Sequence, residues 1–297
     1  MSTGEPIHVS VMPDEVIEWL RPDAGRVFVD GTFGAGGHTR RLAEKVGPTG
    51  RVIALDRDPQ AIAAGRTRLG ELPVDLVHAD YRDIPSVLND RQSGRVDGIL
   101  LDLGMSSDQL ADAQRGFSFQ GDGELDLRFD PTIGAPAWEL VEELSAEQLA
   151  NVIYQYGEER FSRRIARRIV ERREKQRIRT TSQLAELVRS CVPRSRNHAI
   201  DPATRTFQAL RIAVNDELGA LEDALQFAPD VLKPGGRIAI ISFHSLEDRR
   251  VKHAFRDDPR YVVLTRKPVR PYEIEIQRNS RSRSAKMRVA ERAAISS

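Results

Sequence analysis

The sequence predicts an α/β protein with a doubly wound, mostly parallel sheet that is interrupted by an all-helical insertion. Short β-branched runs alternate with helical patterns through the first hundred residues, as in a parallel sheet covered by helices on both faces. Only helical patterns occur from about residue 106 to 205, and a strand pattern returns near residue 237. We therefore expect residues 1–105 and 206–297 to form one domain and residues 106–205 to form a helical insertion.

Four apolar runs in the first part are predicted strands, because parallel strands buried on both faces lack polar alternation. Between these runs, Thr39–Val46 and Pro59–Leu69 have helical spacing and few helix breakers. The runs are Arg26–Asp30, Arg51–Asp56, Val74–Asp80 and Val96–Asp102.

The rest of the chain supplies helices first and strands afterwards. The predicted helices of the insertion are Ala137–Leu144, Ala146–Tyr156, Glu158–Arg177 and Ser182–Cys191. A helix at Arg211–Phe227 and a Lys-Pro-Gly-Gly turn at 233–236 come next. The turn leads into a strand at Arg237–Phe243, and Tyr261–Lys267 and Ala285–Ala290 are further strand candidates.

The composition excludes several classes of protein. Of the 297 residues, 40% are hydrophobic, which is ample for a core, but no stretch approaches the length that spans a bilayer. No secretory signal is visible. The single cysteine, Cys191, excludes an internal disulfide framework, and the histidines share no metal-ligand spacing. We expect a soluble cytoplasmic protein without a membrane partner or a metal site.

Charge is distributed unevenly along the chain, although the net charge is only +1. Residues 106–159 contain twelve acidic and two basic side chains. Residues 160–196 contain thirteen basic and three acidic ones, and residues 260–292 contain ten basic and three acidic ones. Basic segments of this kind are typical of phosphate-binding surfaces, although solvated helix faces explain either segment equally well on its own.

A glycine-rich turn and a set of aspartates indicate a cofactor site. The turn follows the first strand, and Gly34, Gly36 and Gly37 would let the backbone approach a ligand closely. Each of the first four predicted strands ends at or next to an aspartate, and parallel strands bring these ends to one edge. Carboxylates repel a diphosphate but suit S-adenosylmethionine, which carries a sulfonium, an ammonium and a ribose diol. The four aspartates are Asp30, Asp56, Asp80 and Asp102.

Each aspartate can be given a part in binding this cofactor. Asp56, which lies 20 residues after Gly36, would accept hydrogen bonds from the ribose hydroxyls. Asp30 would serve the methionine ammonium, and Asp80 would face the adenine amine with Tyr81 beside the ring. The alternative is that strand-terminal aspartates cap the helices that follow, which any one of them could do.

The ordered motifs resemble those of the MraW/RsmH family of 16S ribosomal RNA (cytosine-N4) methyltransferases. The resemblance covers nearly the whole chain and implies a class I methyltransferase core with a helical insertion. It also implies S-adenosylmethionine as cofactor and a decoding-region cytosine of the small ribosomal subunit as substrate. The implied cofactor contacts are Gly36, Gly37, His38, Asp56, Tyr81, Asp102 and Gln109. The motifs that carry it are His8–Met12, Asp30–Thr39, Ala54–Pro59, Leu100–Ser107, Arg115–Phe119, Leu125–Arg128, Thr206–Glu217 and Ile241–Asp248.

The chemistry at the target base favours transfer to nitrogen. Methylation of ring carbon 5 needs a thiolate, and Cys191 lies far in sequence from the strand ends. Methylation of the exocyclic amine needs a hydrogen-bond acceptor, for which the candidates are Asp102 or a backbone carbonyl in Leu103–Ser106. We therefore count Ser106 among the catalytic candidates. His244 is a second candidate base, or else makes a structural hydrogen bond.

Two basic segments are the expected RNA contacts. Phe161, Ile165 and Ile169 form an apolar stripe along one predicted helix, and arginines crowd the adjoining face. These arginines would hold phosphates without reading sequence. They are Arg160, Arg163, Arg164, Arg167 and Arg168, and the C-terminal candidates are Lys267, Arg270, Arg278, Arg281, Arg283 and Lys286.

Three other functions fit the sequence less well. A module that only senses S-adenosylmethionine would need the glycine turn and Asp56 but not Ser106, His244 and basic surfaces together. A DNA amino methyltransferase would carry an (Asp/Asn)-Pro-Pro-aromatic motif after the fourth strand, and a nicotinamide oxidoreductase would lack the carboxylates. The oligomeric state is left open, a homodimer included.

Overall fold

The computed structural model describes residues 10–119, 121–193 and 201–294. It divides into two compact units, Met1–Ser106 with Leu218–Ser297 and Ser107–Glu217. The second boundary lies later than the expected 205/206, because the helix Thr204–Asn215 packs within the helical unit. Its last residue, Asn215, donates to the Leu127 carbonyl and accepts from the Phe129 amide, both at 2.7 Å.

The first unit contains a seven-stranded sheet in the order β3-β2-β1-β4-β5-β7-β6. The first five strands pair in parallel, and β7 is antiparallel to both of its neighbours. The predicted doubly wound α/β architecture is therefore confirmed. The strands are β1 (Val27–Asp30), β2 (Arg51–Asp56), β3 (Val74–His78), β4 (Val96–Asp102), β5 (Leu232–Ser242), β6 (Tyr261–Val263) and β7 (Lys286–Arg292).

Helices flank the sheet in the first unit and make up most of the second. The helices of the first unit, together with one that begins at its boundary, are α1 (Pro13–Leu20), α2 (Gly37–Val46), α3 (Pro59–Leu69), α4 (Ile84–Asp90), α11 (Glu217–Val231), α12 (Ser245–Asp257) and α13 (Glu273–Arg278). The helices of the second are α5 (Ser107–Ala111), α6 (Ala137–Glu143), α7 (Ala146–Gly157), α8 (Ser162–Arg173), α9 (Thr181–Cys191) and α10 (Thr204–Asn215).

The core of the first unit lies on both faces of the sheet. Val29 and Leu101 belong to a buried cluster with residues of α11 and α12, whereas Phe28 and Leu100 belong to a cluster with residues of α1 and α2. Neighbouring strand residues thus serve opposite faces, which explains why the strands are apolar without alternation.

Two predicted elements differ from the structure. The predicted single helix Arg211–Phe227 is wrong, because Asp216 has a φ of 49° and ends α10 before α11 begins. The predicted turn at 233–236 lies inside β5, where the register against β4 shifts between Val96 and Gly98.

Several element bounds also move. The helix predicted at Glu158–Arg177 is shorter, since Glu158 has a φ of 49° and caps the C-terminus of α7. The strand predicted at Tyr261–Lys267 ends at Val263.

Within the described parts of the chain, no helix is both long enough and apolar enough to cross a membrane.

Candidate functional site

Three aspartates end neighbouring strands at one edge of the sheet. Asp30 is in register with Ala54 and Leu100, and Asp102 is in register with Ile241, so β1, β2, β4 and β5 all present their carboxyl ends there. The strand order reverses on either side of β1, and doubly wound sheets bind ligands at such a switch point.

The glycine-rich turn crosses this edge between β1 and α2. Gly34 and Gly36 have φ values of +53° and +85°, which favour glycine. A Cβ on Gly37 would clash with the Ser10 hydroxyl oxygen. Glycine at these three positions therefore lets the turn bring its backbone close to the strand ends.

Asp30 is buried beneath the turn and stabilises it through hydrogen bonds. One carboxylate oxygen accepts from the Thr39 hydroxyl at 2.6 Å, and the other accepts from the Thr32 amide at 3.1 Å. Burial raises the pKa of Asp30. Neither threonine was singled out from the sequence, because only the folded turn brings them to the aspartate.

Asp56 also supports the turn while remaining half-buried at the edge. Its carboxylate accepts from the Gly34 amide at 2.7 Å and from the Asp58 amide at 2.8 Å. Burial raises its pKa to about 6, although these two hydrogen bonds oppose the shift. The group is thus a carboxylate that titrates unusually close to neutral pH.

Asp80 is engaged as a cap and in ion pairs. Its carboxylate accepts from the Arg82 amide at 3.0 Å and lies 3.4 Å from the Arg57 side chain. The capping alternative therefore applies to Asp80. Tyr81 beside it is buried, and a Cβ on Gly31 would come within 2.8 Å of the Tyr81 Cβ. Gly31 was not singled out from the sequence, although it is the residue that leaves room for Tyr81.

Asp102 at the end of β4 is partly buried and lies against the buried His38. His38 Nε2 lies 3.6 Å from Asp102 Oδ2. Asp102 Oδ1 is buried and has no hydrogen-bond partner among the described residues, nor has either ring nitrogen of His38. Burial disfavours protonated His38, but Asp102 outweighs it, so the pKa of His38 is raised. A buried acceptor without a partner is rare in proteins and indicates a place for a ligand group.

The loop after Asp102 is held by a residue expected to contact RNA. Gly104 has a φ of +98°, and the Leu103 amide donates to the Ile241 carbonyl at 3.0 Å. The Arg281 guanidinium donates to the Met105 carbonyl. Burial lowers the pKa of Arg281, while Asp102 opposes that shift. Arg281 therefore lies beside the loop that precedes Ser106, and 176 residues of sequence separation concealed this contact.

His244 caps a helix at the end of the neighbouring strand. Its Nδ1 accepts from the Glu247 amide at 3.4 Å, and its Nε2 lies 3.2 Å from a Glu247 carboxylate oxygen. The same carboxylate accepts from the Phe243 amide at 2.8 Å and from the His244 amide at 3.3 Å, and the bond from His244 completes a capping box for α12. Nδ1 thus serves as a helix cap, which favours a structural role, whereas the buried Nε2 makes no hydrogen bond within the described residues. The role of His244 as a base therefore stays a prediction.

The remaining candidates lie on other parts of the two units. Gln109 is buried in α5 of the helical unit. Ile165 and Ile169 are buried on α8, as the apolar stripe predicts, and the four arginines between and beside them are exposed. Those arginines are Arg163, Arg164, Arg167 and Arg168, and Arg160 just before the helix is exposed as well.

The C-terminal candidates belong to the first unit. Lys286 donates to Asp248 at 3.2 Å. The exposed ones are Lys267, Arg270, Arg278 and Arg283.

Comparison with known proteins gives long matches. The model of the MraW methylase family matches residues 5–293. The chain is 53% identical to ribosomal RNA small subunit methyltransferase H of Rhodopirellula baltica, over 98% of this chain and 93% of that protein. The protein of the same name from Synechococcus elongatus is 55% identical over 96% of this chain and 94% of that protein.

A solved rRNA methylase from Streptococcus thermophilus is 14% identical, with a TM-score of 0.44 over 99% of this chain and 100% of that one. The family match spans almost the entire sequence, including every strand of the sheet and every helix of the insertion. The chain therefore belongs to the MraW methylase family.

Proposed function

We propose that this protein transfers a methyl group from S-adenosylmethionine to the exocyclic N4 amine of one cytosine in the decoding region of 16S ribosomal RNA. The protein is a methylase by family, and its curated relatives carry the name ribosomal RNA small subunit methyltransferase H. The observation that carries the finer proposal is Oδ1 of Asp102 at the end of β4, which is buried and has no hydrogen-bond partner in the part of the chain that the structure describes.

The residues at the sheet edge fit S-adenosylmethionine. Asp56 offers a half-buried carboxylate to the ribose hydroxyls, and the turn at Gly34 to Gly37 leaves room for close approach of backbone. Asp30, Asp56 and Asp102 together supply negative charge for a cationic ligand. When bound, the cofactor supplies an electrophilic methyl group on a sulfonium.

Asp102 is the proposed acceptor for the amine proton. The lone pair of the cytosine amine is delocalised into the ring, so a hydrogen bond from the amine to Asp102 Oδ1 restores its nucleophilicity. Once the amine nitrogen had accepted the methyl group, it would carry one proton too many, and Asp102 would take up that proton. His38 Nε2 lies 3.6 Å from the other oxygen of this carboxylate, Oδ2.

The loop Leu103–Ser106 would position the base beside Asp102. Gly104 allows the chain to turn, and Arg281 fixes the Met105 carbonyl. We assign Arg281 to this loop rather than to the phosphate contacts expected of the C-terminal basic segment. Ser106 remains the candidate for a direct contact with the base.

Exposed arginines would supply most of the affinity for RNA. Those of α8 stand on one face of a helix whose opposite face is buried, so they are available to phosphates. Arg168 also pairs with Glu171 at 2.8 Å, which an incoming phosphate would have to displace.

Comparison of Asp102→Asn with the wild-type protein tests this assignment. Asn preserves the shape of the side chain but cannot take up a proton, so we expect methylation of small ribosomal subunits to fall by about 100-fold or more. Binding of S-adenosylmethionine, measured by calorimetry, should weaken by a much smaller factor, because Asp30 and Asp56 keep their places at the edge. Full activity in Asp102→Asn would rule out Asp102 as the proton acceptor.

A further inference from the structure

We define the C-terminal rim as residues 266–283 and the cofactor edge as the edge of the sheet where Asp30, Asp56 and Asp102 end their strands. The rim carries an exposed tyrosine. Tyr272 is 64% exposed and Ile274 is 59% exposed, in a unit whose other large apolar side chains are mostly buried. Exposed apolar side chains placed together indicate a binding surface.

Two contacts attach the rim to the cofactor edge within the same unit. The Met12 amide donates to Glu275 Oε1 at 2.9 Å, and Glu275 lies close enough to His38 and Asp102 for their charges to act on its pKa. That pKa is raised, mainly by burial. Arg281 binds the loop that follows Asp102. Tyr272 therefore lies just before a stretch, Glu275 to Arg281, that contacts this edge at two points.

The charge of the rim indicates what would cover Tyr272. Residues 266–283 contain six basic and two acidic side chains. Exposed arginines or lysines stand before Tyr272 in the chain, at Lys267 and Arg270, and after it, at Arg278 and Arg283. An aromatic ring among cations is the usual arrangement for unpaired nucleotides, because the ring stacks on a base while the cations hold the phosphates.

We propose that Tyr272 is a stacking platform for an unpaired nucleotide that flanks the target base in the RNA. The inference rests on the proposed function, because it assigns the platform to the same substrate. A target base in folded RNA must be turned out of its stack, and a ring that receives the neighbouring nucleotide would offset part of that cost.

The apparent KM for small ribosomal subunits from cells that lack the enzyme tests the platform. Base stacking on an aromatic residue contributes enough that we expect Tyr272→Ala to raise this KM by roughly tenfold. Tyr272→Phe should stay within about twofold of wild type, because it retains the ring. The Kd for S-adenosylmethionine and kcat should change little in either variant.

Tyr154→Ala is the matched control. Tyr154 is 62% exposed but lies in the acidic segment of the chain, where we place no RNA contact. The salt dependence of subunit binding gives a second readout. Tyr272→Ala should weaken binding without changing its dependence on salt, whereas Arg283→Ala should reduce that dependence.

Several results would overturn the inference. An unchanged KM in Tyr272→Ala would do so, as would an equal loss in Tyr154→Ala. A change of oligomeric state in Tyr272→Ala, seen by sedimentation with KM unaltered, would show that a second copy of the chain covers the ring. Subunit binding that depends on Tyr272 without any methyl transfer would instead contradict the proposed function and support the platform.

Discussion

Asp30, Asp56 and Asp102 occupy equivalent places at strand ends, but their surroundings give them different properties. Threonines bond both oxygens of Asp30, two backbone amides bond Asp56, and one buried oxygen of Asp102 has no partner among the described residues. The sequence predicts that these carboxylates meet at one edge. It could not predict which of their oxygens are hydrogen-bonded, because this depends on how Thr32, Thr39 and the turn are placed in the fold.

The raised pKa of Asp56 predicts that cofactor binding weakens at acid pH. Hydroxyl groups donate more strongly to the ionised carboxylate, and Asp56 takes up a proton as the pH falls through about 6. Calorimetry between pH 5 and pH 8 should show the Kd for S-adenosylmethionine rising towards about tenfold per pH unit below 6. Asp56→Asn should bind weakly and with little pH dependence over this range; an unaltered dependence would show that another group titrates.

The same shift acts on stability in the opposite sense. Because folding raises the pKa of Asp56 above its ordinary value of 3.8, the contribution of this group to the free energy of unfolding is present at low pH. It is lost as the pH rises through about 6. Cofactor should therefore stabilise the protein most above this pH, and thermal unfolding with and without S-adenosylmethionine would measure the difference.

Replacement of His244 separates its two candidate roles. Asn is a good N-cap, so His244→Asn should retain most stability and activity, whereas His244→Ala should lose about 1 kcal/mol of unfolding free energy. Denaturant unfolding and methylation assays of both variants provide the measurement. A His244→Asn protein that folds normally but is inactive would identify the ring as a base.

At the scale of elements, the glycine turn and α2 act as one unit. The sequence predicts the turn, and the structure adds that Gly37 packs against Ser10, which a local pattern cannot indicate. The predicted helix Arg211–Phe227 failed for a related reason. Its residues are all compatible with a helix, but Asn215 and Asp216 end it through tertiary contacts and a left-handed backbone.

A methyl group on Gly37 should disturb the turn. Gly37→Ala would force Ser10 aside, and we expect the Kd for S-adenosylmethionine to rise several-fold while the secondary structure, followed by circular dichroism, persists. The double variant Gly37→Ala/Ser10→Gly removes the clash and should recover most of the affinity. Failure to recover would mean that the added methyl group meets the cofactor itself.

Helix α8 should bind RNA through charge alone. Replacing Arg163 and Arg167 with alanine should weaken subunit binding and lower its salt dependence by about 0.7 for each phosphate that the helix no longer neutralises. Arg66→Ala, on an exposed position of α3, is the control. Salt titrations of subunit binding provide the measurement, and an unchanged slope would remove α8 from the interface.

At the scale of the whole molecule, sequence patterns predicted the sheet and the helical insertion well. Continuous apolar strands and amphipathic helices depend on local periodicity, which a sequence displays directly. The site was predicted in part, since its carboxylates follow strand ends. The roles of Arg281 and Glu275 depend on contacts with residues that are far away in sequence, and the role of Tyr272 depends on its exposure. Local periodicity indicates neither.

The proposed reaction is tested most directly by identifying the methylated nucleoside. Purified protein would be incubated with methyl-labelled S-adenosylmethionine and small ribosomal subunits from cells that lack the enzyme, and the digested RNA analysed by mass spectrometry. We predict label on the exocyclic nitrogen of a single decoding-region cytosine. Label on carbon 5 or on another base, or no label on subunits or free ribosomal RNA despite cofactor binding, would contradict the account.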